Sequence, residues 1–174
     1  MGNIASMVRP ARPAGGPALL QAIRAGVRPV AAAHAVDVDQ RARFPHETLA
    51  ALRSIGALSA AVPRELGGAG CSMRELAMQC ALLAQDCAAS AMILAMHHIQ
   101  VACLARHALS SPALRAYLAS LVHEQHLIAS VTSEVGTFGD MRASVCALER
   151  RAERFELTKD ATTISYGAQA DALL

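Results

Sequence analysis

The hydrophobic period of this chain changes once, near His126, and that change restricts its possible folds more than any other feature. Upstream, apolar residues recur every three or four positions, as one face of a helix requires. Downstream they alternate, as in a half-buried strand. Helices first and strands after is the order of an α+β protein or of two successive domains, not of an interleaved α/β sheet. Composition agrees. The chain is 53% hydrophobic, mostly Ala, Leu and Val, with no Trp, two Tyr and three Phe. Small side chains favour close-packed helices over a β-sandwich, whose strands draw on aromatic and β-branched residues. Phe138, Phe155 and Tyr166 all lie beyond the change.

Local signals place the elements. Residues 1–17, rich in Pro and Gly, read as a flexible tail. Met1 to Ser6 fits the permissive myristoylation pattern. Arg9, Arg12, Arg24 and Arg28 without an acid are transit-peptide-like in charge, but no apolar signal core is present, and part of this stretch reads better as the first helix. That helix is expected over 18–35, with Gly26 and Pro29 working against its continuity. A polar run, Asp37 to Arg43, follows. Pro45 then suits the first position of a short helix carrying Leu49, Leu52 and Ile55 and stopped by Gly56. Residues 61–71 form a Gly-rich connection. Ser72 and Glu75 make a capping box for a helix whose stripe is Met73, Leu76, Ala77, Cys80, Leu83, Ala84 and Cys87. Asp86, read as a helix-end or cap residue, and Ser90 mark a break before a helix over 90–107. Ser111-Pro112 opens the next, with Leu114, Tyr117, Leu118 and Leu121. Strands are expected over Leu127–Thr132, around Val145 and Ala147, at Phe155 and Leu157, and starting at Ala170–Leu174. The helical domain thus covers 18–126 and the β-part 127–174.

Several functions are excluded. A net charge of +2 with interspersed signs gives no basis for a nucleic-acid partner. Cys71, Cys80, Cys87, Cys103 and Cys146 are odd in number and show no CxxC spacing, so neither a disulfide frame nor a metal site is indicated; reduced, buried thiols in a cytoplasmic protein are expected. Residues 81–105 are the most apolar stretch, but Asp86, His97, His98 and Gln100 interrupt it, which suits buried helices better than a membrane span. His97 and His98 point about 100° apart on a helix, so at most one faces a common site.

The run Phe44-Pro45-His46-Glu47, then Gly56-Ala57-Leu58 and Val62-Pro63-Arg64-Glu65-Leu66-Gly67-Gly68-Ala69-Gly70, resembles the N-terminal signature of acyl-CoA dehydrogenases. The similarity continues through Ile128-Ala129-Ser130-Val131-Thr132-Ser133-Glu134 and Lys159 to Asp171, covering about residues 18–174. It implies a three-part flavoenzyme: a helical domain, a middle β-domain and a C-terminal helical bundle, with FAD between the last two. A carboxylate in the later part removes the proton α to an acyl-CoA thioester, and hydride passes from the β-carbon to flavin. On this resemblance the chain is an all-α N-terminal domain followed by the first strands of an incomplete, barrel-like middle β-domain, without the catalytic base. It is expected to be inactive alone and to form a homo-oligomer when complete.

By the same resemblance Val131 and Thr132 lie against the flavin ring, and Thr163 and Ser165 form a second flavin-facing pair. The loop Glu134 to Asp140, with Gly136 and Gly139, meets the pyrophosphate. Four departures stand out. The loop is one residue longer and lacks its Pro, Phe138-Gly139 occupies the place of Gly-Ser, and Thr163 replaces a Trp. A flavin-dependent monooxygenase of the same fold is therefore an alternative, and a non-catalytic helical interaction module is another.

Overall fold

Pro29 shapes the first helix in the computed structural model, which describes residues 15–140 and 142–174. Residues 1–14 of the expected tail, with the myristoylation-like start, lie outside the described residues. Helix α1 (Gly16–Ala22), a π-helical segment (Ile23–Val27) and α2 (Arg28–Gln40) follow one another directly. Proline lacks an N–H and crowds the carbonyl four residues back, here that of Ala25, and a π turn widens the helix at that point. Pro29 therefore deforms the helix without ending it. The helix also starts earlier than expected, at Gly16, because that residue lies under the capping box: an added Cβ would come 2.1 Å from Glu75 Oε1. It ends later, because Val38 is buried and Asp37 pairs with Arg41 (2.9 Å) and Arg43 (2.5 Å). The polar run is thus mostly helix.

Helix α3 (His46–Ser54) begins one residue after Pro45, which sits at the cap and not at the first helical position. Two 3₁₀ turns follow, Ala57–Ser59 and Arg64–Leu66. The Gly-rich connection folds back on itself: Cys71 N–H donates to Ala60 O (2.8 Å), Gly70 N–H to Val62 O (2.9 Å) and Gly68 N–H to Pro63 O (3.1 Å). Gly68 lies so close to the Val62 carbonyl that a Cβ would meet it at 2.1 Å. Helix α4 (Met73–Ala84) carries both halves of the capping box: Glu75 N–H donates to Ser72 Oγ (3.3 Å) and Ser72 N–H to Glu75 Oε2 (2.8 Å).

Helix α5 (Ala88–His107) starts two residues before its expected position. Asp86 does not cap it. Its carboxylate accepts from Arg28 Nε (2.5 Å), tying the α4–α5 turn to α2; that hydrogen bond holds Asp86 below the usual carboxylate range. By length and composition α5 could cross a membrane, yet it buries Ser90, His97, His98 and Gln100 beside Leu94, Val101 and Leu104 inside the fold. Helix α6 (Pro112–Glu124) starts on the expected cap, with Ser111 Oγ accepting from Leu114 N–H (3.4 Å). Two main apolar clusters result. One joins Ile23, Val27, Leu52, Leu58, Leu83, Leu94 and Leu127; the other joins Val62, Val101, Leu104, Leu118, Leu121 and Ile128.

The strands are few. β1 (Ile128–Ala129) pairs in parallel with β4 (Ala172–Leu173), and β2 (Leu148–Arg151) pairs antiparallel with β3 (Arg154–Leu157). The chain is therefore α+β with its helices first. The described residues form two separate two-stranded sheets. The strand expected over 127–132 shortens to two residues, although Val131 N–H still donates to Leu174 O (2.8 Å). The one expected around Val145 starts at Leu148, because Val145 gives its N–H to Glu134 Oε1 (3.1 Å) instead. In the β2–β3 hairpin Leu148 faces Leu157 and Arg150 faces Phe155 on one side; Glu149, Arg151, Arg154 and Glu156 take the other. All eight strand residues are exposed.

Candidate functional site

The site is built outward from β1, whose position the helices fix. Fully buried His97 on α5 donates from Nε2 to Leu58 O (2.7 Å) and accepts at Nδ1 from Ile128 N–H (3.0 Å). That pattern requires the neutral ring protonated at Nε2. Burial pushes its pKa down to about 4. Leu127 N–H donates to Asp171 Oδ2 (2.7 Å), which also accepts from Arg53 (2.5 Å). Gln125, in a left-handed conformation at the end of α6, accepts from Leu58 N–H (3.1 Å) and donates to Ser59 Oγ (2.9 Å) and Val122 O (3.0 Å). Helices α3, α5 and α6 and strand β4 thus hold one short strand. His97 is engaged in that junction, with neither nitrogen free for a ligand. His98 is buried too, and its ring nitrogens have no partner among the described residues; burial pushes its pKa down to about 3.

Beyond β1 the chain leaves the core through a hydroxyl-rich run and forms an open groove of about 480 Å³, bounded by residues 132–140 and by Thr162. Glu134 anchors it from below. This buried carboxylate accepts from Lys159 Nζ (3.0 Å), Ser144 Oγ (2.9 Å) and Val145 N–H (3.1 Å). Burial raises its pKa, but the hydrogen bonds from Lys159 and Ser144 outweigh that and hold it below the usual range. Further bonds fix the loop: Val135 N–H to Asp160 O (2.9 Å), Thr137 Oγ1 to Glu134 O (3.0 Å) and Asp140 N–H to Thr137 O (3.0 Å). Gly136 and Gly139 have φ of +93° and +85°, which glycine adopts without strain. The N–H groups of residues 136–139 take no partner among the described residues.

The structure separates the expected site residues. Thr132, Gly136 and Gly139 line the groove together. Val131 stands behind it with its N–H committed to Leu174. Thr163 is exposed and bonds through its backbone to Ser133, whose hydroxyl donates to Thr163 O (2.7 Å) and accepts from its N–H (3.3 Å). Its neighbour Thr162 faces the groove in its place. Ser165 lies half-buried in the turn before Tyr166, off the groove. The sequence reading missed Glu134 as the anchor. No local signal marked it, since its partner Lys159, the only lysine in the chain, lies 25 residues away.

The donors suit a planar ring carrying carbonyls and ring nitrogens, which Thr132, Thr162 and the N–H groups of 136–139 can meet. They suit a pyrophosphate less well. Among the described residues no Lys or Arg lines the groove, Asp140 stands on its rim, and the Lys159 charge is balanced by Glu134.

The sequence matches the family described as acyl-CoA dehydrogenase, N-terminal domain, over residues 17–125. Over 52 residues it is 54% identical to a probable acyl-CoA dehydrogenase, fadE25, of Mycobacterium leprae, a stretch covering 28% of this chain and 13% of that protein. The fadE25 protein of Mycobacterium tuberculosis strain H37Rv is 49% identical over 49 residues, with the same coverage. Among solved structures, FMN-bound TdsC from Paenibacillus sp. A11-2 superposes with a TM-score of 0.71 at 21% identity, covering 90% of this chain and 38% of that one. KijD3 in complex with dTDP gives 0.72 at 24%, covering 89% and 40%. A nitrososynthase from Micromonospora carbonacea var. africana gives 0.71 at 22%, covering 89% and 39%. These three establish a shared fold, and the chain spans about two fifths of each.

Proposed function

The chain belongs to the acyl-CoA dehydrogenase family, and from that premise we propose that it forms the N-terminal, flavin-facing part of an FAD-dependent oxidoreductase acting on an acyl-CoA thioester. The observation that supports this most is the groove after β1, where a rigid loop brings Thr132, Thr162 and the N–H groups of residues 136–139 together. Bound FAD supplies the hydride acceptor. The chain's own residues bind and orient it: Thr132 gives a hydroxyl to the ring edge, and residues 136–139 offer backbone donors. Residues 18–126 serve as the helical support and 127–174 as the start of the flavin-binding β-domain. A cytoplasmic, homo-oligomeric whole protein accompanies this reading.

Among the described residues, the groove holds no buried carboxylate free to act as a base. The one buried carboxylate there, Glu134, is held ionised by three donors and engaged in fixing the loop. The 174-residue chain should therefore show no acyl-CoA-dependent bleaching of an electron-accepting dye with added FAD, and sustained turnover would refute this assignment of roles. Thr163, standing where the family pattern has Trp, favours a second reading, flavin-dependent oxygenation. FAD-dependent oxygen consumption without dye reduction by the whole protein would select it.

The direct test is binding. FAD or FMN titrated into the protein should change its absorbance and fluorescence. Thr132→Val, which keeps the shape and removes the hydroxyl, should cost about 1–3 kcal/mol in affinity or reduction potential. No flavin binding at millimolar protein would refute the proposal and leave the non-catalytic helical module as the better reading.

A further inference from the structure

Phe138 is fully exposed, at 101% of its reference area, and its backbone is left-handed with φ of +50°. Both features oppose folding, since a bulky side chain is strained in that region and an exposed ring gains nothing from burial. Of the other non-glycine residues with positive φ, Ala42 and Ala152 are exposed but carry only a methyl group, while the two large ones, Gln125 and Tyr166, gain contacts in return. Gln125 makes its buried hydrogen bonds, and Tyr166 packs on the core and donates from its hydroxyl to Ile128 O (3.1 Å). Phe138 gains none among the described residues, yet its loop is held firmly by Glu134, Lys159 and Ser144. A strained aromatic, presented on a rigid turn at the lip of a polar groove, is preorganised for a ligand.

We infer that Phe138 is the ring-stacking residue of the nucleotide site, taking the planar heteroaromatic ring of a flavin nucleotide against its face. This rests on the flavin reading above. Among its described residues the groove offers edge donors but no cation, so a ligand gains its affinity there from a ring and not from its phosphates. Stacking needs only a π-face, and a phenyl ring supplies it with two side-chain torsions to order.

The chain has three Phe, so ring-labelled phenylalanine gives a spectrum in which each residue can be followed. The protein is titrated with FMN, riboflavin, ADP and inorganic pyrophosphate. FMN should shift the Phe138 ring resonance strongly and leave exposed Phe155 and half-buried Phe44 in place. Riboflavin acting alike assigns the isoalloxazine as the stacked ring; ADP acting alike assigns the adenine, and either supports the inference. Phe138→Ala should weaken FMN binding by about 5- to 100-fold, and Phe138→Trp should restore it. Phe138→Gly should leave the melting temperature unchanged or raise it while weakening FMN equally, which a structural role does not predict. If FMN binds with Phe138 unmoved and Phe138→Ala as tight as wild type, the inference falls and the flavin reading survives. Pyrophosphate binding as tightly as FMN overturns it in favour of an anion site. Absence of any flavin binding overturns both.

Discussion

Replacing His97 by Leu tests whether one buried imidazole holds the strand to the helices. The substitution keeps an apolar side chain of similar size and removes both hydrogen bonds. It leaves Leu58 O and Ile128 N–H buried without partners, at about 1–3 kcal/mol each. A loss of roughly 2–6 kcal/mol is a large part of the 5–15 kcal/mol typical of a domain. His97→Gln keeps a donor for Leu58 and His97→Asn keeps an acceptor for Ile128, so each should recover about half. Protonation gives a second handle. In the native protein the His97 pKa is about 4, against 6.5 for the free side chain. Between those values the unfolded chain binds a proton that the native protein does not. The contribution is therefore complete above pH 6.5 and declines as pH falls toward 4, by about 1.4 kcal/mol per unit. Buried His98 acts in the same direction. Urea unfolding from pH 7.5 to 5, with amide exchange at Ile128, measures both effects. If His97→Leu stays within about 1 kcal/mol of wild type with an unchanged acid slope, the clamp is not what positions β1.

Ser72→Ala removes the cap of α4 and should lower stability by about 1 kcal/mol, seen in the urea midpoint, without altering flavin titration. Gly68→Ala should be harsher, about 1–3 kcal/mol or more, because the opposing atom is the Val62 backbone carbonyl and cannot rotate away. Glu134→Gln should speed amide exchange in residues 135–145 and weaken FMN binding while exchange in α4 stays at its wild-type rate. Unchanged exchange in the loop would show that Lys159 and Ser144 hold it without the carboxylate.

The helices were legible because their signals are local. The Ser72–Glu75 box and the Ser111-Pro112 start each act within one turn, and the structure reproduces both. Pro29 misled for the same reason: a local rule ends a helix there, but Val27, Ala31 and Val38 are all drawn into one core, and the helix accommodates the proline with a π turn. Of the site residues expected by resemblance, Thr132, Gly136 and Gly139 line the groove and Val131, Thr163 and Ser165 do not. The pairing of Glu134 with Lys159 could not be read from sequence, because 25 residues and a hairpin separate them and no periodicity links them. His97 was hidden for a related reason. Its partners, Leu58 and Ile128, contribute backbone atoms, and a backbone carbonyl or N–H leaves no mark on a sequence.

The parallel pairing of β1 with β4 bears on how the chain folds. Leu127 and Asp171 are 44 residues apart, and everything between them is an excursion that leaves the helical core and returns to it. Contacts among α1 to α6 are mostly between neighbours in the chain and can form early, whereas β1 must wait for that long loop to close. During synthesis on a ribosome the helices are complete while Ile128 and Ala129 still lack their partner strand. Residues buried at the end are thus sticky in the middle, and the stretch that covers them emerges only after the whole excursion has been made.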